Sequence, residues 1–201
     1  MINEISLFSG ICGFSLAGKM VHGKQWRTIA YVEWENYCQK VIKQRITDSL
    51  LDAAPIFGDI RQFNRDYARE FAELAPRPLI ITGGFPCQPF SVAGKQQGEK
   101  DKRNIWPATI ECIRIIRPEY VLLENVPGLL GFGYVRRIFG DLAEEFSHIE
   151  GHCLSAAQVG ANHKRERLWI VADTIKPGAG NICRKVGNEK RRITSDRPSR
   201  L

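Results

Sequence analysis

The chain has 201 residues, 43% of them hydrophobic, which suits one core-bearing domain with a short appendage, and no apolar run approaches the ~18 residues of a membrane span. The net charge of +7 is uneven: residues 174–201 carry eight Lys/Arg against two Asp/Glu, so residues 1–173 carry only +1. Met1-Ile2-Asn3-Glu4 lacks the basic segment of a signal peptide, and the six scattered cysteines form no CxxC pair, which fits a reduced, intracellular protein better than a disulfide framework or a zinc site.

Strand-like and helix-like segments alternate along the chain. Residues 2–8 read as a strand, Ser9-Gly10-Ile11-Cys12-Gly13 as a tight turn and 14–22 as a helix. A second strand covers 28–33 and ends in Glu33. A helix follows over 34–46, with Trp34, Cys38, Val41 and Ile42 at roughly helical spacing. Residues 55–59 form a short third strand and turn, and 63–74 a helix. The fourth strand, 79–82, runs into Gly83-Gly84-Phe85-Pro86-Cys87-Gln88-Pro89-Phe90-Ser91. A helix over 105–117, a strand over 120–124, a helix over 134–147 and a late strand over 167–172 complete the pattern. This alternation predicts an α/β protein with a doubly wound, mostly parallel sheet. The strands are continuous apolar runs, as expected when both faces of a sheet are covered. From residue 174 the pattern dissolves into loop-like sequence, which predicts a basic and poorly ordered end that either attracts nucleic acid or is merely solvated.

Chemistry-bearing residues gather at the predicted strand ends. In open α/β sheets ligands sit beyond the carboxyl ends of the strands. Phe8-Ser9-Gly10-Ile11-Cys12-Gly13 follows the first strand and opens a helix. Small residues there allow close backbone approach to a ligand, although a purely structural turn has the same composition. Glu33 is placed to accept from ribose hydroxyls and Asp59 from an adenine amino group; each alone also fits a capping or surface acid. Cys87 sits on a loop stiffened by Pro86 and Pro89, either as a buried structural cysteine or as a presented nucleophile. Glu124 ends a wholly apolar strand, where burial favours a protonated donor; a capping carboxylate is the alternative. Arg165 and Arg167 lead into the last strand and offer forked donation to a phosphate or a base oxygen.

In this order, Phe8 to Gly13, Gly84 to Ser91, Glu124-Asn125-Val126 and Arg165-Glu166-Arg167 resemble the motifs of the DNA (cytosine-5)-methyltransferase family, over about residues 3–172. The resemblance implies a Rossmann-like methyltransferase fold, S-adenosyl-L-methionine as cofactor, no metal, and DNA as partner. It places a cofactor half at about 1–75 and a catalytic half at about 76–173. Phe8, Ser9, Gly10, Gly13, Glu33, Trp34, Asp59, Ile60 and Pro86 would then line the cofactor pocket. Cys87 would be the nucleophile, Glu124 the partner of cytosine N3 and Arg167 a ligand of the cytosine carbonyl oxygen, with Arg165 and Asn125 beside them. It further implies a cytoplasmic protein of a bacterial restriction-modification or phage-type system.

The chain also departs from the family pattern. Ser6 stands where Asp is common, His163 where Gln is usual, and Cys12 replaces a common glycine and adds bulk beside the cofactor. Family members continue into a target-recognition domain and return with a last motif that completes the cofactor pocket, and residues 174–201 are too few for either. Three readings follow: a catalytic domain active when complete or complemented by a second subunit, an inactive remnant binding nucleic acid, and a cytosine-5 methyltransferase acting on tRNA.

Overall fold

The computed structural model describes residues 1–86 and 104–174, except the side chain of Phe132. Cys87, the residues following it to 103 and the basic end from 175 lie outside the described residues. In chain order the elements are β1 (Ile2–Leu7), α1 (Gly13–His22), β2 (Trp26–Val32), α2 (Asn36–Thr47), β3 (Ile56–Phe57), α3 (Ile60–Asp66) and α4 (Ala68–Leu74). There follow β4 (Leu79–Gly83), α5 (Trp106–Ile116), β5 (Tyr120–Asn125), α6 (Tyr134–Ala143), β6 (His148–Ser155) and β7 (Glu166–Asp173).

The strands form one seven-stranded sheet in the order β3-β2-β1-β4-β5-β7-β6. Neighbours from β3 to β5 are parallel, while β7 is antiparallel to both β5 and β6. The order reverses beside β1, so the chain winds outward in two directions from that strand. Ile5, Leu7, Leu79, Ile81, Val121, Leu123, Leu168 and Ile170 bury one face against α3 to α6. On the other face α1 lies against β1 and β2, and Cys12, Tyr31, Ile42 and Leu51 form a smaller cluster with it and α2.

Four expectations are corrected. The single helix over 63–74 is two, because Tyr67 leaves helical geometry (φ −131°) and packs its ring on Phe57 at 4.7 Å. The helix over 34–46 starts only at Asn36, and Trp34 lies outside it with 69% of its surface exposed. The helix over 134–147 ends already at Ala143, and strand β6 lies in the stretch between 147 and 167 to which the sequence pattern assigns no element. Its His148, Glu150 and His152 are polar, and it is a half-exposed edge strand without an apolar run. Finally, β5 and β7 are not covered on both faces by the described residues. Tyr120 and Leu122 of β5, and Trp169 and Val171 of β7, alternate with fully buried neighbours and stay half-exposed.

A buried carboxylate ties the parallel strands together. Glu4 of β1 is wholly inaccessible. Thr28 Oγ1 of β2 (2.6 Å), Trp26 Nε1 (3.1 Å) and Thr82 Oγ1 of β4 (2.6 Å) all donate to it. No cation is among these partners. Burial pushes the Glu4 carboxyl above its ordinary range, and the hydroxyl donors pull it back only in part. The folded state therefore holds a proton that the unfolded chain releases near pH 4.5. Stability falls as pH rises from there through the raised native value. Glu4→Gln keeps an acceptor for Trp26 and Thr28 and gains a donor for Thr82, so chemical denaturation at several pH values will show this slope flattened. Glu4→Ala orphans three buried donors and will cost on the order of 2–4 kcal/mol.

Candidate active site

The carboxyl ends of β1, β2, β4 and β5 meet the amino end of the antiparallel β7 along one edge of the sheet. The turn after β1 is held in an uncommon shape: Phe8, Gly10 and Cys12 have φ of 49°, 52° and 65°. Three contacts hold it. Ser9 Oγ donates to the Ser6 carbonyl at 2.8 Å, and Ser9 N–H to the Val32 carbonyl at 3.1 Å. Arg45 of α2 donates to the Ile11 carbonyl. Arg45 carries no local sequence signal for this task, since its relation to the turn arises only when α2 folds back over α1.

Glu33, 7% exposed, joins the first two strand ends. Its Oε2 accepts from Gly10 N–H at 2.6 Å and its Oε1 from Glu35 N–H at 2.8 Å. Each oxygen keeps a lone pair for a further donor such as a ribose hydroxyl. Gly13 opens α1, and among the described residues beyond its chain neighbours and its own helix backbone no atom lies within 4 Å of where a side chain would begin. Ser6 Oγ is buried without a hydrogen-bond partner among the described residues. An acceptor pair, a bare helix start and an orphaned hydroxyl at one strand end fit a nucleoside-bearing cofactor.

The remaining expected cofactor residues divide. Asp59 caps α3, with Oδ1 accepting from Arg61 N–H at 2.8 Å. The Ile60 side chain is buried in the core, leaving only its backbone to face a ligand. Trp34 follows Glu33 and is solvent-exposed, and Pro86 is exposed where the described chain breaks off. The bulk expected from Cys12 does not enter this region. Its side chain is wholly buried beside Tyr31 and Ile42, and burial, with Glu4 nearby, pushes its thiol up to about 12.

At the other half of the edge, Glu124 and Arg167 face each other from β5 and β7. Arg167 Nε lies 2.6 Å from Glu124 Oε1, and Arg167 Nη1 donates to the Glu166 carbonyl at 2.7 Å. Glu124 is not sealed in the apolar surroundings that its strand suggested: its side chain keeps 27% of its surface and is ion-paired. Asn125 does not point at the pair. Its Nδ2 donates to the Phe85 carbonyl at 3.0 Å and its Oδ1 accepts from Val126 N–H at 2.8 Å, so it ties β5 to the segment after β4. Phe85 is buried against Trp106 at 5.3 Å. Arg165 is exposed, with φ of 31°, and forms no part of the pair. Phe14 of α1 meets Trp169 of β7 edge-on at 5.7 Å, linking the two halves, a contact that sequence spacing does not reveal. Cys87 lies outside the described residues. Among the described residues, no group of three or more His, Cys, Asp or Glu is placed to hold a metal ion, and no helix is long and apolar enough to cross a membrane.

The fold is that of Rossmann-like methyltransferases. Solved structures similar to the chain include DNMT2 of Spodoptera frugiperda (TM-score 0.68, 23% identity, 86% of this chain and 50% of that one). Dnmt2 of S. pombe matches at TM-score 0.67, with 18% identity over 88% of this chain and 52% of that one. Among known sequences, the type II methyltransferase M.AplI of Arthrospira platensis is 32% identical over 170 residues, covering 84% of this chain and 44% of its own length. M.HpaII of Haemophilus parainfluenzae is 31% identical over 173 residues, with 83% and 44% covered. The chain thus spans less than half the length of these two relatives. The profile of C-5 cytosine-specific DNA methylases matches residues 2–191, and the chain belongs to that family.

Proposed function

We propose that residues 1–173 are the catalytic domain of a DNA (cytosine-5)-methyltransferase that uses S-adenosyl-L-methionine and acts on a cytosine flipped out of the duplex. The observation that carries this reading is the Glu124–Arg167 pair at 2.6 Å, set beside the segment that leads from β4 to Cys87. Carboxyl and guanidinium groups side by side match the adjacent N3 and carbonyl oxygen on one edge of cytosine. Family membership and the relatives' names as type II methyltransferases support the same chemistry.

Bound S-adenosylmethionine supplies an electrophilic methyl group. Glu33 would hold its ribose, the turn from Phe8 to Gly13 its polar end, and Asp59 its adenine, with Trp34, Ile60 and Pro86 alongside. Cys87 as thiolate forms a bond to C6 of the base. Glu124, freed from Arg167 by the incoming ring, would take up a proton from solvent and pass it to N3 as the C5–C6 π electrons shift. Arg167 donates to the carbonyl oxygen and holds the ring in plane. C5 would then be nucleophilic enough to accept the methyl group, the cofactor leaving as its thioether; loss of the C5 proton to solvent with breaking of the C6–S bond, and return of the N3 proton to Glu124, would restore the aromatic ring and the Cys87 thiolate. Covalent catalysis divides one difficult substitution into easier steps, and flipping exposes a base otherwise stacked in the duplex.

A complementing polypeptide belongs to the same proposal. The half-exposed apolar side chains Leu122 and Val171 stand on a sheet face that the described helices leave open, and the match covers only 44% of M.AplI and of M.HpaII. Residues 174–201 would be a basic connection toward that missing part. Use in a bacterial or phage cell, with a restriction partner or without one, follows the relatives' type II naming.

DNA carrying 5-fluorocytosine tests the reading, because fluorine at C5 cannot leave as a proton and traps the adduct. With S-adenosylmethionine and the C-terminal part of M.AplI supplied in trans, the protein will give a covalent band on denaturing gels, and Cys87→Ser will give none. A complemented wild type without that band would leave only a nucleic-acid-binding role, indifferent to Cys87→Ala. Arg167→Lys keeps the charge but loses the fork, and will lower kcat/KM by roughly 10- to 100-fold. Glu124→Gln will lower kcat by about 10²- to 10⁴-fold.

A further inference from the structure

Gly83 and Gly84 are glycines for different reasons. A side chain begun on Gly83 would meet the Leu7 carbonyl oxygen at 3.0 Å and Leu7 Cβ at 3.3 Å, so Gly83 permits β4 to lie close on β1. Gly84 follows the strand and meets no neighbouring backbone in this way. Among the described residues, the one atom within 4 Å of a Gly84 Cβ is Glu124 Oε2, at 3.0 Å. Nor does the backbone require glycine there: Gly84 is not among the residues in the left-handed region. The position is half-buried, and among the described residues outside its chain neighbours only the carboxylate stands where a small side chain would begin.

We propose that Gly84 is a positioning residue whose bare Cα is the seat of the Glu124 carboxylate. Glu124 Oε1 is drawn to Arg167 Nε at 2.6 Å, and its Oε2 stands 3.0 Å from where a Gly84 side chain would begin. A methyl group at 3.0 Å from a carboxylate oxygen is closer than ordinary van der Waals contact, so the carboxylate must turn or retreat by some tenths of an ångström. Arg167 cannot follow freely, because Nη1 is anchored on the Glu166 carbonyl. The seat thus sets the spacing of the two groups assigned to the edge of cytosine. The kinetic consequence rests on the proposed methyl transfer, and the geometric one does not.

The test is Gly84→Ala in the full 201-residue chain. Its crystal structure, compared with wild type, will show the Glu124 carboxylate displaced and the Arg167 contact lengthened, with the backbone of 83–86 in place. A carboxylate that stays put while the backbone moves would overturn the proposal. So would a variant that fails to fold with the wild-type unfolding midpoint, since the glycine would then serve the backbone. In methyl transfer, with the C-terminal part of M.AplI supplied in trans, Gly84→Ala will lower kcat by about tenfold or more and leave KM for S-adenosylmethionine unchanged. In a Glu124→Asp background, where the shorter side chain has withdrawn from the seat, the same substitution will change kcat by less than about twofold. Equal losses in both backgrounds would show that Gly84 acts elsewhere and overturn the assignment. Should the complemented wild type transfer no methyl group, the proposed function fails, and the two crystal structures still decide the seat.

Discussion

The close parallel pairing of β1 with β4 governs the rest of the molecule. The two strands run in register from Asn3 opposite Leu79 to Leu7 opposite Gly83, although some 75 residues separate them in sequence. Most of the chemical groups discussed above hang from the ends of these strands or of their neighbours. The turn carrying Ser9 and Gly10 leaves β1, the segment toward Cys87 leaves β4, and Glu33 and Glu124 lie one strand further out on either side. Two features make the pairing close. Gly83 lets its backbone approach the Leu7 carbonyl, and Glu4 gathers donors from β2 and β4 into one buried cluster. A charge there without a cation would be costly, which is why burial pushes the carboxyl up toward its protonated form. A shared acceptor for three otherwise orphaned donors offsets that cost and fixes which strands lie together.

The sheet's inner strands were legible because their sequence leaves no other reading. Runs such as Leu79 to Thr82 and Tyr120 to Leu123 are too short for helices and too apolar for loops. The acids and glycines at their ends stood out for the same reason, as interruptions of an apolar pattern. What local pattern could not convey is where a side chain points. Cys12 looked like bulk in a ligand site, yet the left-handed backbone at that residue turns its thiol into the core. Trp34 looked like a core position of a helix, yet the helix begins two residues later and the ring faces solvent. Asn125 sits in a motif associated with catalysis, and its amide is spent on the Phe85 carbonyl. Strand β6 was invisible because an edge strand needs little apolar sequence; its register comes from β7 and from pairs such as His148 with Asp173.

The uneven cover of the sheet connects this fold to the length of its relatives. The continuous apolar character of β5 and β7 is what a strand needs when both its faces are packed. One face has that packing from α3 to α6, and the other ends its helical layer at α1 and α2. Leu122 and Val171, opposite each other across β5 and β7, are therefore apolar side chains in need of a neighbour. The sequence of the strands thus carries a requirement that the described helices do not meet, and the match covers only 44% of either relative.

The Glu124–Arg167 pair shows why a site can be both assembled and idle. Two opposite charges at 2.6 Å satisfy each other, and with about a quarter of each side chain in water their attraction is modest. A pair of that strength is suited to exchange. Under the proposed function, a base offering N3 to one group and a carbonyl oxygen to the other would replace a single contact with two. The exchange is productive only if both groups stay where the contact held them, since freed side chains would spend binding energy on being reordered. Arg167 is tied to the Glu166 carbonyl, and the bare Gly84 leaves the Glu124 carboxylate its place beside that guanidinium. The geometry of recognition is thus held by two backbone features that carry no charge, and the charged groups are left free to change partners.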